Sequence, residues 1–273
     1  MRSIAKLMKD WQFTGPNGVT TAVELPHTWN ARDGQDGGND YWRGCCTYCT
    51  RFAAPVYDPA QQQVWLQFEG VNASAAVLLN GQQLCTHDGG YSTFRAEVTE
   101  LLQAENQLTV RVDNSVNDRV YPQKADFTFY GGIYRDVSLL VVNKNHIALG
   151  HFGDTGVKIT PALQENSADI QVEALVEGSG TVTVELLDAE GRTVAKGEGE
   201  NASLHLDAPH LWNGVKDPYL YTCVVRLLQD GQPVDEVTTR VGLRSFSVDA
   251  MCAAYPSSCS PSAPARRKAR RPA

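Results

Sequence analysis

The stretch AVLLNGQQLCTH, residues 76–87, carries the strongest local fold signal in the chain. Asn80 and Gly81 stand between apolar flanks, and this pair is typical of a two-residue hairpin turn because both residues tolerate a positive φ. Apolar side chains alternate with a period of two in three further segments: Val64, Leu66 and Phe68; Leu108, Val110 and Val112; Val137, Leu139 and Val141. A period of two indicates strands with one buried face. Helical periodicity is scarce, with one or two turns predicted from Thr99, so the sequence predicts an all-β chain.

Length, composition and charge limit the functions that the chain can have. The 273 residues, 42% of them apolar, suffice for two domains with sizeable cores. A formal net charge of −7 argues against nucleic acid as the main partner, because phosphate binding needs a clustered positive field. No apolar run has the length of a membrane span or of a signal-peptide core, so we expect a cytoplasmic protein with no membrane partner.

The cysteines and histidines predict neither a disulfide framework nor a metal centre. Seven cysteines is an odd count, and Cys45, Cys46 and Cys49 fall within one predicted strand, where geometry disfavours pairing. Cys46 and Cys49 form one CxxC motif, but no second CxxC accompanies it, and the two histidine pairs are spaced five apart on segments without helical periodicity. We therefore expect reduced thiols and no metal ligands.

The strand pattern divides the chain into two domains and a tail. The strand that ends at Val142 closes a first domain, residues 1–142, and strand signals resume at Val157. Roughly seven short strands within residues 143–249 predict an immunoglobulin-like β-sandwich. Residues 250–273 lose all alternation and are rich in Ala, Pro, Ser and Arg, so we expect them to be disordered. A reading frame that departs here from an ancestral sequence is the alternative.

Several segments together resemble glycoside hydrolase family 2, with the bacterial β-galactosidases as the nearest likeness. They run in the family's order and spacing: LPHTWNARDGQDGGNDYWRG at 25–44, DFTFYGGIYRDVSLL at 126–140, PHLWNGVKDPYLYTCVV at 209–225 and RVGLRSFSVD at 240–249. The resemblance covers nearly everything up to Asp249. It implies a jelly-roll β-sandwich, the sugar-binding domain, for residues 1–142 and an immunoglobulin-like sandwich for 143–249.

In that family a (β/α)8 barrel follows and carries the two catalytic glutamates, the acid/base directly after an asparagine. Retaining glycoside hydrolysis requires such a pair of carboxylates beside the scissile bond. This sequence contains no Asn-Glu dipeptide and no segment that resembles the barrel. The remaining glutamates, in strand or strand-edge positions, are interpreted as solvated surface charges. We therefore expect no catalytic residue, and a non-catalytic N-terminal portion of a β-galactosidase-like hydrolase that is inactive alone.

The resemblance implies two sugar-contacting residues, Asp126 and Asn39. In family members an aspartate at the position of Asp126 reaches from the jelly roll into the active site and helps to hold the sugar, and in some β-galactosidases it also contacts a sodium ion. Asn39 is the candidate in the family's other active-site loop. A carboxylate can accept two sugar hydroxyls at once. An Asp in this setting is also a common turn residue, and a sodium ion would be expected only in a complete enzyme; no other cofactor is predicted.

Three hypotheses about the function follow. The chain is the non-catalytic part of a family 2 enzyme whose barrel is encoded separately or lost; or a stand-alone carbohydrate-binding module with weak affinity for a β-galactoside; or a two-sandwich interaction protein. A jelly-roll face without its barrel is expected to be apolar and to favour self-association. Trp42, Trp65 and Trp212 could stack on sugars, but we interpret them as packing residues.

Overall fold

Strands and turns make up the computed structural model, which describes residues 1–31, 42–121 and 127–246. The chain forms two compact units, one ending at Gly156 and the other beginning at Val157. The expected helical segment at Thr99 is a single 3₁₀ turn, Thr99–Leu101. The prediction of an all-β chain is confirmed. Within the described ranges, no helix has the length and apolar character that crossing a membrane would need.

The first unit is a β-sandwich, as expected for the jelly roll. Its strands are β1 Ser3–Lys6, β2 Trp11–Thr14, β3 Thr20–Val23, β4 Cys45–Ala53, β5 Gln62–Phe68, β6 Val71–Asn72, β7 Ser74–Leu79, β8 Gln82–Asp88, β9 Phe94–Glu97, β10 Glu105–Asp113, β11 Gly132–Ile133, β12 Val137–Asn143 and β13 His146–Ile147. A six-stranded sheet has the order β3-β2-β4-β10-β7-β8 and a four-stranded sheet the order β1-β12-β5-β9. A short ladder, β11 with β6, lies outside both.

The core of this unit lies between the two sheets, where the alternating side chains predicted from sequence are buried. Leu66 and Phe68 come from the smaller sheet, Val110 and Tyr48 from the larger one. Trp11 is fully buried beside them, and its indole Nε1 donates to Leu7 O at 2.9 Å. Because each strand buries alternate residues, a shift of one residue in register would turn this set toward solvent.

The hairpin predicted at Asn80-Gly81 joins β7 to β8. The two residues have φ of 51° and 84°, the left-handed pair that a two-residue hairpin turn requires. The side chain of Asn80 adds a tertiary role, because its Nδ2 donates to Leu101 O at 3.0 Å. The turn therefore also attaches the hairpin to the 3₁₀ segment.

The first unit extends past Val142, where the sequence pattern placed the end of the first domain. Leu149 is buried against Leu140 and Val142, and Trp65 packs on the same cluster from the outer face of β5. The segment that follows β12 is therefore part of the packing of this unit and is not an extended linker.

The second unit is a seven-stranded sandwich with one additional short strand. Its strands are β14 Val157–Leu163, β15 Ser167–Ala174, β16 Val176–Glu177, β17 Thr181–Leu187, β18 Thr193–Glu198, β19 Asn201–Asp207, β20 Tyr221–Gln229 and β21 Gln232–Val241. Sheets of order β14-β15-β19 and β18-β17-β20-β21 face each other, as expected for an immunoglobulin-like fold. Residues 247–273, which include the tail, lie outside the described residues.

The turn after β17 is held by Asp188. Its Oδ1 accepts hydrogen bonds from the backbone nitrogens of Glu190 at 3.0 Å and Arg192 at 2.8 Å, and Gly191 supplies the positive φ of 80°. Such a carboxylate bond to the local backbone is the usual reason for aspartate in a turn.

Candidate functional site

The two predicted sugar contacts, Asn39 and Asp126, lie outside the described residues, in the segments 32–41 and 122–126. The residues on either side of both segments are described. These flanking residues form the bases of the two loops, and the candidate site is centred on them.

A buried pair of asparagines joins the two loop bases. Asn30, which has no exposed surface, donates from Nδ2 to Trp42 O at 2.8 Å, and this bond closes the base of the first loop. Its Oδ1 accepts from Gly131 N at 2.8 Å and from Asn114 Nδ2 at 3.2 Å, and Gly131 belongs to the segment after the second loop. One amide side chain therefore fixes the ends of both loops in one place.

Asn114 completes this network from the end of β10. Its Nδ2 also donates to Phe129 O at 2.9 Å, and its Oδ1 accepts from Gly44 N at 2.9 Å. Like Asn30 it has no exposed surface. An amide can donate and accept at the same time without carrying charge, so it suits a buried junction of several backbone groups.

The segment after the second loop lies close to the backbone of residues 27–29 and is held there by further bonds. Thr28 Oγ1 donates to Gly131 O at 2.8 Å, and Asn72 Nδ2 donates to Tyr130 O at 2.6 Å. Glycine is required at both positions of the Gly131-Gly132 pair. A Cβ on Gly131 would collide with the Trp29 ring. Gly132 has a φ of 142°, and a Cβ on it would collide with the carbonyl oxygen of His27. The Gly131-Gly132 pair therefore has a structural role at the loop bases.

Aromatic residues and one arginine at the loop bases form a surface that we call the loop-base face: Trp42, Arg43, Tyr121, Phe127, Phe129 and Tyr130. The rings of Trp42, Tyr121, Phe127 and Tyr130 are exposed, whereas Phe129 is buried beneath them. Arg43 crosses Phe129, with its guanidinium carbon 4.8 Å from the ring centroid, and donates from Nε to Asn114 O at 2.7 Å. Phe127 is half exposed and contacts Phe129 at 5.2 Å between centroids. Exposed rings around polar backbone are typical of a surface that binds a sugar or a partner.

A second polar contact, below the loop bases, connects β4 to the segment before the first loop. His27 Nδ1 and Tyr48 Oη are 2.7 Å apart. Burial lowers the pKa of His27 and raises the pKa of Tyr48, so both groups are neutral near pH 7. The pair supports the loop bases without adding charge.

The described carboxylates do not provide the paired acids of a glycosidase. Asp88, near the loop-base face, is bound by Arg119 Nε at 2.8 Å, and its pKa is lowered by that hydrogen bond. Asp113 Oδ1 accepts from Ser115 N at 2.8 Å. Asp88 and Asp113 therefore each have a structural partner, unlike the pair of available carboxylates that hydrolysis requires.

Glutamates of the strands are engaged in the same way. Glu173 pairs with Lys158 at 2.7 Å, and Glu185 lies between Lys196 at 2.9 Å and Arg226 at 2.7 Å. The pKa of Glu185 is lowered, chiefly by the hydrogen bond from Lys196. These ion pairs agree with the interpretation of the glutamates as surface charges.

Asp136, Arg135 and Trp212 also have structural partners. Asp136 pairs with Lys6 at 2.6 Å, and Arg135 donates to the carbonyls of Glu69 at 3.3 Å and Tyr91 at 3.2 Å. In the second unit, Trp212 lies under Arg244, at 4.8 Å from the guanidinium carbon to the ring centroid. These residues therefore have packing roles.

Histidines of the second unit bind nearby aspartates. His205 contacts Asp169 at 2.6 Å, and His210 contacts Asp217 at 2.7 Å. Over the described ranges, no group of three or more His, Cys, Asp or Glu side chains is arranged to hold a metal ion. Cys45, Cys46, Cys49, Cys85 and Cys223 are free thiols.

Sequence reasoning missed the three asparagines that hold the loop bases, Asn30, Asn72 and Asn114. None belongs to a periodic apolar set, and an asparagine beside a Gly-rich loop is usually an exposed turn residue. The available signal was position. Asn30 precedes the first loop within a segment that resembles the family, and Asn114 directly follows β10.

Comparison with known proteins agrees with this architecture. The profile of the glycosyl hydrolase 2 galactose-binding domain-like family matches residues 38–162, and that of glycosyl hydrolases family 2 matches residues 151–244. A β-glucuronidase of Bacteroides fragilis is 34% identical over 265 residues, which cover 89% of this chain and 38% of the relative. A β-galactosidase of Bacteroides ovatus is 31% identical over 282 residues, covering 88% of this chain and 31% of the relative.

A solved structure has the same fold over nearly the whole chain. It is an FMN-binding β-glucuronidase from Faecalibacterium prausnitzii, with a TM-score of 0.86 and 36% identity, covering 91% of this chain and 40% of that protein. The chain thus spans well under half the length of the relatives that it matches, and it corresponds to their N-terminal part.

Proposed function

The chain belongs to glycosyl hydrolase family 2, and from that premise we propose that it supplies the sugar-holding face of a glycosidase without hydrolysing sugars by itself. The relatives are named as β-glucuronidases and as β-galactosidases, so the substrate class is a β-glycoside of glucuronic acid or galactose. The β-galactoside expected from sequence is one of these two.

The observation that carries the proposal is the amide network of the loop bases. Asn30 bonds to Trp42 O, Gly131 N and Asn114 Nδ2, so the two loops predicted to contact sugar leave the fold from one fixed junction. Binding groups are useful in a glycosidase when their positions are set before the sugar arrives. A merely structural sandwich has no need for a buried, uncharged junction between two segments that are predicted to contact sugar.

Within this proposal Asp126 and Asn39 contact the sugar hydroxyls. The carboxylate of Asp126 accepts up to two hydroxyl protons, and charge-assisted bonds of this kind are stronger than neutral ones. In a complete enzyme the same carboxylate could also contact a sodium ion. The aromatic rings of the loop-base face would cover the apolar faces of the ligand or of an adjoining catalytic domain.

Hydrolysis then requires a partner that carries two carboxylates. Asp88, Glu173 and Asp113 are bound to an arginine, a lysine and a backbone nitrogen, and within this proposal the acid and the nucleophile come from a catalytic domain such as the barrel of the family. We propose a reducing compartment such as the cytoplasm, supported by the exposed free thiol of Cys45.

A chimera tests this proposal directly. This chain replaces the matching N-terminal part of the Bacteroides fragilis β-glucuronidase, and hydrolysis of p-nitrophenyl β-glucuronide and β-galactoside is measured. We expect turnover by the chimera, none by the chain alone, and a loss of kcat/KM of about 100-fold in the Asp126→Ala chimera. The matched control is Asp230→Ala, a hairpin-turn aspartate of the second unit. Turnover by the isolated chain that disappears with Asp126→Ala would refute the proposal.

A stand-alone carbohydrate-binding module remains the second candidate. The exposed rings of the loop-base face favour it, because a module needs a stacking surface of its own. Titration of the isolated chain with galactose, lactose and methyl β-glucuronide distinguishes the two. Saturation at low millimolar concentration, sensitive to Asp126→Ala, supports the module, whereas weaker binding supports a surface that is completed by a catalytic domain.

A further inference from the structure

A strained and exposed phenylalanine stands on the last loop of the first unit. Phe152 has a φ of 47° and 89% of its surface is exposed. A left-handed backbone is unfavourable for a bulky side chain, and an aromatic ring in water gives up its burial. Glycine or asparagine at a surface loop position would have neither the backbone strain nor the exposed ring. Since Phe152 has both, we take the ring to have a function.

The loop holds this ring in a fixed position. Arg95 Nη1 donates to Leu149 O at 2.8 Å and to Asp154 O at 2.7 Å, on either side of Phe152. Asp154 Oδ1 accepts from Gly156 N at 2.7 Å, and the backbone of Gly153 lies against the carbonyl of Thr93 so closely that a Cβ would collide. The exposed ring is therefore presented by a rigid loop.

An open cleft of about 460 Å³ lies beside the ring, within the range of small-molecule sites. His87 and Phe94 form a stacked pair along it, with centroids 4.2 Å apart and an interplanar angle of 17°. Ser92, Thr93 and the apolar side chain of Leu149 also line the cleft. The cleft thus combines stacking surfaces with hydroxyl groups.

The charges around the cleft favour a neutral ligand. The guanidinium of Arg95 is engaged with two backbone carbonyls and with Gln67 Oε1 at 2.7 Å, so it is bound within the protein. His87 Nε2 lies 3.1 Å from Gly89 O and 3.0 Å from Ser92 Oγ, in a setting where burial lowers its pKa. Asp154 brings a negative charge to the same loop and is paired with His151 at 2.9 Å.

We propose that this cleft is a second carbohydrate site, which takes one or two rings of a neutral glycan stacked on Phe152. The apolar face of a pyranose fits against an aromatic ring, while its equatorial hydroxyls bond to groups such as Ser92 and Thr93. The cleft and the loop-base face are lined by different residues. The sugar that binds in the cleft can therefore be a part of the glycan that does not contain the hydrolysed bond. Such a site would keep an enzyme on a polymeric or branched substrate by raising the local concentration of the chain ends.

The test is a titration of the complete 273-residue chain, followed by NMR of the backbone amides. The probes are lactose, cellobiose, methyl β-glucuronide and FMN. We expect saturable shifts at Ser92, Thr93 and Gly153 with the neutral disaccharides, and about tenfold weaker binding in Phe152→Ala, as expected for the loss of one stacking ring. Phe246→Ala, which removes another exposed phenylalanine, and Asp126→Ala should leave this binding unchanged.

Phe152→Gly separates binding from folding. Glycine keeps the positive φ and removes the ring, so the variant should unfold at a temperature no lower than the parent while it loses the disaccharide shifts. Absence of saturable shifts with both disaccharides would overturn the proposal, as would equal affinity in the parent and Phe152→Ala. Binding of only methyl β-glucuronide or FMN at the cleft would also overturn it, since the ligand would then be anionic. Shifts lost in Asp126→Ala alone would place the sugar at the loop-base face and support the proposed function instead.

Discussion

Replacing Asn30 with alanine should destabilise the first unit selectively. The substitution removes the acceptor of Gly131 N and of Asn114 Nδ2, which are both buried. Leaving a buried donor unsatisfied costs about 1–3 kcal/mol, so two such donors, with some relief from water, give a loss of about 3 kcal/mol in the free energy of unfolding. For a unit of this size that corresponds to a fall of about 6–12 °C in the unfolding midpoint.

Tryptophan fluorescence can follow this loss in the intact chain. Four of the five tryptophans, Trp11, Trp29, Trp42 and Trp65, lie in the first unit, so the signal in a urea titration reports mainly on that unit. Asn201→Ala is the matched control, because Asn201 is exposed on a strand of the second unit. A loss in Asn30→Ala below about 0.5 kcal/mol, the range of ordinary surface substitutions, would refute the argument that the network holds the loop bases.

Asn30→Asp gives the same experiment a pH dependence with a definite sign. The carboxylate keeps the shape and the acceptors, is buried, and faces the neutral groups that Asn30 contacts in the described residues, so its pKa in the folded protein should rise above the unfolded value near 3.9. The folded state then binds the proton more tightly, and the destabilisation present near pH 7 should shrink as the pH falls through the raised pKa. A difference from the parent that stays constant between about pH 7 and 4 would contradict this reasoning.

Three further outcomes can be measured with the same chain. Gly132→Ala should lower the free energy of unfolding in urea by more than 2 kcal/mol, because its Cβ would also lie 2.9 Å from Tyr48 Oη. Gly81→Ala has open space around it and should lose only roughly 1 kcal/mol, the cost of a left-handed alanine. Equal losses in the two variants would count against the packing argument. Burial lowers the pKa of His27 below its usual 6.5, so the folded state binds fewer protons than the unfolded state, and the free energy of unfolding falls as the pH drops below 6.5. His27→Gln should reduce this dependence of stability on pH. If the dependence is unchanged in the variant, another group causes it. Burial raises the pKa of Cys46 to about 12 and of Cys223 to about 11, so both thiols should resist alkylation at pH 8. Mass spectrometry after iodoacetamide treatment should find both unmodified until the chain is unfolded. Rapid labelling of the native protein would contradict this and show that the structure around these thiols opens locally.

The fold could be predicted from sequence because its signals are local. Alternation along β5, β10 and β12 reflects one buried face per strand, and Asn80-Gly81 specifies its hairpin through backbone angles alone. The turn at Asp188 and the 3₁₀ segment at Thr99 follow from equally short segments. In each case the determining interactions span a few residues, so periodicity and residue type are sufficient.

The candidate site could be predicted only in part, because it depends on pairs of residues far apart in the chain. The bonds of Asn30 to Gly131 and to Asn114 join positions that are 101 and 84 residues apart. The periodicity of apolar residues in the sequence does not predict such a contact. The end of the first unit was missed for a similar reason, since Leu149 becomes part of that unit only by packing back on Leu140 and Val142.

Neutral amides at the loop bases also have an electrostatic consequence for the proposed sugar contact. Asn30, Asn72 and Asn114 satisfy the buried backbone groups without introducing charge, and His27 and Tyr48 below them are neutral as well. Buried lysine or carboxylate side chains in these positions would need partners of opposite charge. Such charged residues would also attract any charged group of the loops and so compete with the sugar for it. Under the proposed function, the carboxylate of Asp126 would therefore keep its acceptor capacity for sugar hydroxyls. Replacing the junction with an ion pair, even one of equal stability, should accordingly weaken sugar binding.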